Sequence, residues 1–101
     1  MSIVEDVMKD ELKRNLEMQT AYNNEIDSLR KGKIIIKKVR SREYYYLLYR
    51  VGEKVKTDYL GPKEKVSVDD LQKELDKRKY YEQTLKDLLR EEKKLRKVIK
   101  E

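Results

Sequence analysis

The chain has no cysteine, no histidine, no tryptophan and no phenylalanine, and its 101 residues include only three glycines and one proline. Each absence excludes something. Without cysteine there is neither a disulfide framework nor a thiolate zinc site. Without histidine the commonest general base and the commonest metal ligand are both missing. No window approaches the roughly 18 apolar residues of a membrane-spanning helix, and the first residues lack the basic stretch followed by an apolar run that marks a secretory signal. The expectation is a cytoplasmic protein without membrane contact. There is no glycine-rich phosphate loop, no nucleophile elbow and no metal-ligand cluster. The carboxylates are plentiful but stand at helical ion-pair spacing, as Glu74 does with Arg78. The sequence therefore predicts no enzymatic activity, no metal and no cofactor.

What is present is charge. Charged residues make up 46% of the chain and hydrophobic ones 38%. So charged a composition suits a disordered chain, but the apolar residues are strongly periodic, which argues for folding as a single domain over 1–101. The net charge of +6 is uneven. Residues 1–30 carry four basic and seven acidic side chains, residues 31–65 eleven and four, and residues 66–101 eleven and nine. The middle third is the electrostatic footprint.

The pattern predicts an α+β fold in the order long helix (3–31), three-stranded antiparallel meander (33–61), long helix (67–100). In the first helix Val4, Met8, Leu12, Met18, Tyr22, Ile26 and Leu29 share one side of a 3.6-residue wheel, and Gly32 reads as its left-handed cap. The second opens on a capping box, Ser67 with Asp70, and a staple, Val66 with Leu71. Its spacing Tyr81-Leu85-Leu88-Glu92-Leu95-Ile99 alternates four and three, a coiled-coil seam with one polar member. Helices of roughly 40 and 48 Å are too long for a small sheet to cover. They are expected to pair with each other or to form a coiled-coil-like homodimer, with Tyr81, Leu85, Leu88, Leu95 and Ile99 at the oligomer interface. Arg78 and Glu92 fall inside apolar stripes, as register-setting or snorkelling residues.

The meander holds five of the eight tyrosines. Val51-Gly52-Glu53-Lys54 reads as a two-residue hairpin of type II′, which pairs Tyr49 with Lys56, Leu47 with Asp58 and Tyr46 with Tyr59. One face then shows Tyr45, Tyr49, Lys54, Lys56, Asp58 and Leu60, with Ile34, Ile36 and Lys38. The other shows Tyr44, Tyr46, Leu48, Val55, Thr57 and Tyr59, with Ile35 and Val39, the placement of residues 34–39 holding for a first turn of two or four residues. The second is the more apolar and is expected to pack on the helices. Tyr45 and Tyr49 on the first would stack on bases, while Lys38, Arg40, Arg42, Arg50, Lys54 and Lys56 would meet phosphates. Sheet formation and edge protection explain the same tyrosines and lysines without any ligand.

The stretch Glu43-Tyr44-Tyr45-Tyr46-Leu47-Leu48-Tyr49-Arg50-Val51-Gly52-Glu53-Lys54-Val55-Lys56-Thr57-Asp58-Tyr59-Leu60-Gly61-Pro62 resembles a hairpin of the amino-terminal region of some DDE-type insertion-sequence transposases. It also resembles one in small bacterial, archaeal and mobile-element proteins. The resemblance covers about 20 of the 101 residues and no catalytic domain. It implies an accessory or DNA-contacting role.

Two functions follow as expectations. The first is a small non-enzymatic protein that binds DNA or RNA through its basic, tyrosine-bearing meander. The alternative is a protein-interaction module, such as a phage or mobile-element inhibitor of a host defence enzyme or ribonucleoprotein.

Overall fold

Two helices flank a three-stranded antiparallel sheet in the computed structural model, which describes residues 2–99. The elements are α1 (Ile3–Ser28), β1 (Lys33–Val39), β2 (Arg42–Val51), β3 (Lys54–Pro62) and α2 (Asp69–Ile99), with strand order β1-β2-β3. The fold is α+β, in the predicted order. Lys100, placed by the sequence at the end of the second helix, lies outside the described residues. Contacts among the described residues cluster into two units, one of residues 29–78 and one of residues 2–28 with 79–99.

The helical unit is built on a seam that the apolar stripe only partly describes. Leu12 of α1 packs with Leu95 and Ile99 of α2, with Met8 against them. Val4 and Met18, expected on the buried side, are exposed. The residue buried in their place is Asn15, 1% exposed. Met8, Leu12, Asn15, Gln19, Tyr22 and Ile26 alternate at four and three, the same spacing as the seam of α2. Tyr22 meets Tyr81 edge to face, with ring centroids 5.2 Å apart. Leu88, Leu95 and Ile99 are buried inside the single chain. Along this stretch the seam of α2 packs against α1 of the same chain, the helix pairing that the sequence offered beside a homodimer. Leu85 is half-buried.

A polar layer crosses this seam. The Asn15 amide donates to the Leu88 carbonyl oxygen at 2.9 Å, and the Gln19 amide donates to Asn15 Oδ1 at 2.7 Å and to Glu92 Oε1 at 2.8 Å. Arg96 Nε closes the chain on Glu92 Oε2 at 2.7 Å. Donation from Gln19 first, and from Arg96 second, holds the Glu92 carboxyl below the usual carboxylate range. Glu92 is thus the polar member of an intramolecular layer. Among the described residues no buried side-chain polar atom lacks a partner.

In the sheet unit the β2–β3 register is the expected one, and the first turn has two residues. Tyr46 faces Tyr59, Leu47 faces Asp58 and Tyr49 faces Lys56 across β2–β3, while Val39 faces Arg42 and Ile34 faces Leu47 across β1–β2. The pairing shifts between Tyr45 and Tyr46, leaving Leu60 as an extra residue in β3. Gly52 opens the second hairpin at φ +62°. Arg40 opens the first at φ +59°, the only non-glycine with positive φ among the described residues. Gly32 lies four residues beyond the end of α1 and caps nothing. Its positive φ brings the backbone so close to β2 that a Cβ there would stand 2.4 Å from the Leu48 carbonyl oxygen.

The choice of buried face is the reverse of the expectation. Leu47, 5% exposed, packs with Leu71 and Leu75 from the start of α2, joined by Ile34, Tyr49 and Leu60. These all belong to the face that carries Tyr45 and Tyr49. Aliphatic side chains interdigitate with the two leucines, and the Leu60 bulge adds one more to the cluster. Ser67 Oγ accepts from the Asp69 backbone N–H at 3.3 Å, as an N-cap does. Glu74 accepts from the Arg30 backbone N–H at 2.6 Å, and Arg78 donates to the Leu29 carbonyl at 2.6 Å. Arg78 thus holds the segment entering the sheet.

Candidate nucleic-acid interface

The candidate surface is the face of the sheet away from the leucine cluster. Alternation along the strands places Lys33, Ile35, Lys37 and Val39 of β1 there, with Arg42, Tyr44, Tyr46, Leu48 and Arg50 of β2 and Val55, Thr57 and Tyr59 of β3. Four cations stand among three tyrosines, and none of these twelve strand residues is acidic. Both strand carboxylates that the pairing brings to the covered side, Glu43 and Asp58, are absent from this one.

The tyrosines form a group. Tyr59 lies 5.4 Å from Tyr46 and 6.2 Å from Tyr44, centroid to centroid, with the rings tilted at 59° and 48°. Tyr59 is 56% exposed, and Tyr44 and Tyr46 are half-buried beside it. Lys37 Nζ sits 4.6 Å above the Tyr46 ring, and the Arg42 guanidinium 5.6 Å from the Tyr44 ring. Such pairing with a ring quadrupole holds a cation at the surface without neutralising it.

One of these cations has an anionic partner. Arg42 donates to Glu64 Oε1 at 2.6 Å. That hydrogen bond raises the Arg42 pKa further and draws the Glu64 carboxyl below its usual range. The pair is half-exposed, so salt screens it. Behind it Lys63 pairs with Glu43 at 3.3 Å.

The residues predicted from sequence divide between the two sides. Arg42 and Arg50 are on the open face. Arg40 is at the tip of the first turn. Lys38, Lys54 and Lys56 are exposed but belong to the covered face, and Tyr45 and Tyr49 belong there too. Tyr49 in particular is committed: it packs on the leucine cluster, and its hydroxyl donates to Asp58 Oδ1 at 3.2 Å. Burial first, and that hydrogen bond second, push its pKa up. Tyr45 and Tyr49 are therefore not the open pair. Lys33, Lys37, Tyr44, Tyr46 and Tyr59 are the further residues that share the open face with Arg42 and Arg50. Strand parity alone puts the three tyrosines together on one side; which side is covered follows only from the packing of Leu71 and Leu75.

No group of three or more acidic side chains among the described residues is arranged to hold a metal ion. No helix among them is long and apolar enough to cross a membrane.

The fold and this face define an α+β protein with an aromatic, cationic sheet surface. Residues 8–73, about two thirds of the chain, match the family model described as Domain of unknown function (DUF6788), and the chain belongs to that family. No curated protein and no solved structure matches it.

Proposed function

We propose that this protein is a non-enzymatic nucleic-acid-binding protein and that the open face of its sheet is the binding surface. The observation that carries the reading is the Tyr44–Tyr46–Tyr59 group set among Lys33, Lys37, Arg42 and Arg50 on strand positions without a carboxylate. Cations neutralise phosphates and release their counterions, while aromatic rings receive bases. The resemblance of the hairpin to amino-terminal regions of some transposases, which implies an accessory or DNA-contacting role, supports the same reading. So does the concentration of positive charge in residues 31–65.

A mobility-shift titration over a range of salt tests it. Binding should weaken steeply as salt rises, because its main term is electrostatic. Failure to bind any nucleic acid at low salt would overturn the reading. The same cationic face would then suit an acidic protein, captured from lysate in a form that survives nuclease.

A further inference from the structure

We infer that the open face takes single-stranded rather than duplex nucleic acid, an inference that rests on the binding function proposed above. A duplex offers phosphates and groove edges, but its base faces are covered by their neighbours. Only an unstacked strand can lay bases on tyrosine rings. Here the rings stand in the middle of the face. Tyr46 and Tyr59 are tilted at 59° and Tyr44 and Tyr59 at 48°, so the three are not stacked face to face on one another.

The order along β2 fits a strand laid lengthwise. Open-face positions read Arg42, Tyr44, Tyr46, Leu48, Arg50: a cation, two rings, an apolar residue, a cation. At about 3.4 Å per residue this row is roughly 27 Å long, which suits a site of about four nucleotides, the low end for small sheet modules. Beyond Tyr46 the row opens onto a shallow depression lined by Gly32, Lys33, Leu48, Tyr49, Arg50 and Val55. An apolar floor with two cations beside it accepts a base and its phosphate together.

The test compares oligo(dT) and oligo(U) of about twelve nucleotides, enough for a site of this size, with a duplex of equal length at one low salt concentration. Fluorescence anisotropy gives affinity. Tyrosine emission gives a second readout, since the chain has no tryptophan and stacking on a base quenches a ring. Binding of either single strand tenfold or more tighter than duplex, with quenching, supports the inference. Tyr59→Ala should weaken single-strand binding about five- to 150-fold and leave duplex binding unchanged. Tyr59→Leu keeps apolar bulk at the site and should do the same, so a folding defect in the first variant does not decide the matter. Lys56→Ala, on the covered face, should change single-strand binding less than twofold. Duplex binding as tight as single-strand binding would overturn the inference while leaving the nucleic-acid reading in place. No binding to any of the three would overturn both.

Discussion

Asn15 of α1 donates its side-chain amide to the backbone carbonyl of Leu88 in α2, 2.9 Å away, from a position only 1% exposed. A polar side chain at a seam position costs stability but fixes one alignment of the two helices, because only one register satisfies it. Asn15→Ala should lower the free energy of unfolding by about 1–3 kcal/mol, since it removes the buried donor to the Leu88 carbonyl and one of the two acceptors of the Gln19 amide. Urea denaturation followed by circular dichroism measures this. Asn15→Leu should keep most of that stability and lose the alignment, appearing in sedimentation as a mixture of association states.

Arg40 and Gly52 occupy the same place in successive hairpins, at φ +59° and +62°. An L side chain at such an angle costs roughly 1–2 kcal/mol. Arg40→Gly should therefore raise stability by about 1 kcal/mol, or about 4–8 °C in Tm for a chain of this size. A Cβ at Gly52 would meet nothing within 4 Å, so Gly52→Ala isolates the backbone term and should shift Tm by a similar amount in the opposite direction. Differential scanning calorimetry of both variants checks the two signs.

Leu75, 2% exposed, joins Leu47 and Leu71 in the cluster that holds α2 to the sheet. Truncating it to alanine should cost about 2–5 kcal/mol. Near-ultraviolet circular dichroism should lose its tyrosine signal in step with the loss of stability, because Tyr49 packs on this cluster.

Stability should fall on both the acid and the alkaline side. Glu64, Glu74 and Glu92 have pKa values below their ordinary range, Glu64 through Arg42, Glu74 through the Arg30 backbone N–H, and Glu92 through Gln19. Their contribution is present above the ordinary carboxylate range and is lost as pH falls through it to the depressed native values. Tyr49 has a raised pKa, so its contribution is present below the ordinary tyrosine range and is lost as pH rises through that range to the raised native value. With no histidine in the chain, these side chains leave a plateau across neutral pH. Thermal melts from acid to alkaline buffer should show it, and Glu92→Gln should flatten the acid limb.

Lys37 stands over Tyr46 on the open face. Lys37→Ala should reduce the slope of log binding constant against log salt by about 0.7–0.9, the value for one phosphate contact. Lys54→Ala, on the other side of the sheet, should leave that slope unchanged.

The strands, their pairing and the helix order were legible in the sequence because alternation and turn residues are local signals. Tyr46 opposite Tyr59 follows from Gly52 alone once the hairpin is two residues long. Which face is covered was not local. The side with Tyr44, Tyr46 and Tyr59 has more apolar residues, yet tyrosine tolerates water at its hydroxyl. The aliphatic trio Ile34, Leu47 and Leu60 matches Leu71 and Leu75. Alternation alone puts that trio on one side of the sheet; what it does not reveal is that the two leucines of α2 pack there. Asn15 was hidden for a related reason. A search for apolar stripes passes over a polar residue, although the four-three spacing through Leu12, Asn15 and Gln19 marks it. Once that stripe is seen on α1, the seam of α2 has its partner within the chain.

The Arg42–Glu64 pair gives the open face an internal competitor. A phosphate arriving at Arg42 would displace a carboxylate of the same molecule, so contact there is an exchange rather than an addition. The carboxylate released would gather a cation from solution and return part of the entropy that counterion release supplies. Arg42 would then add less to the salt dependence than Lys37 does. Replacing Glu64 by glutamine would free the guanidinium and tighten the surface's hold on a polyanion.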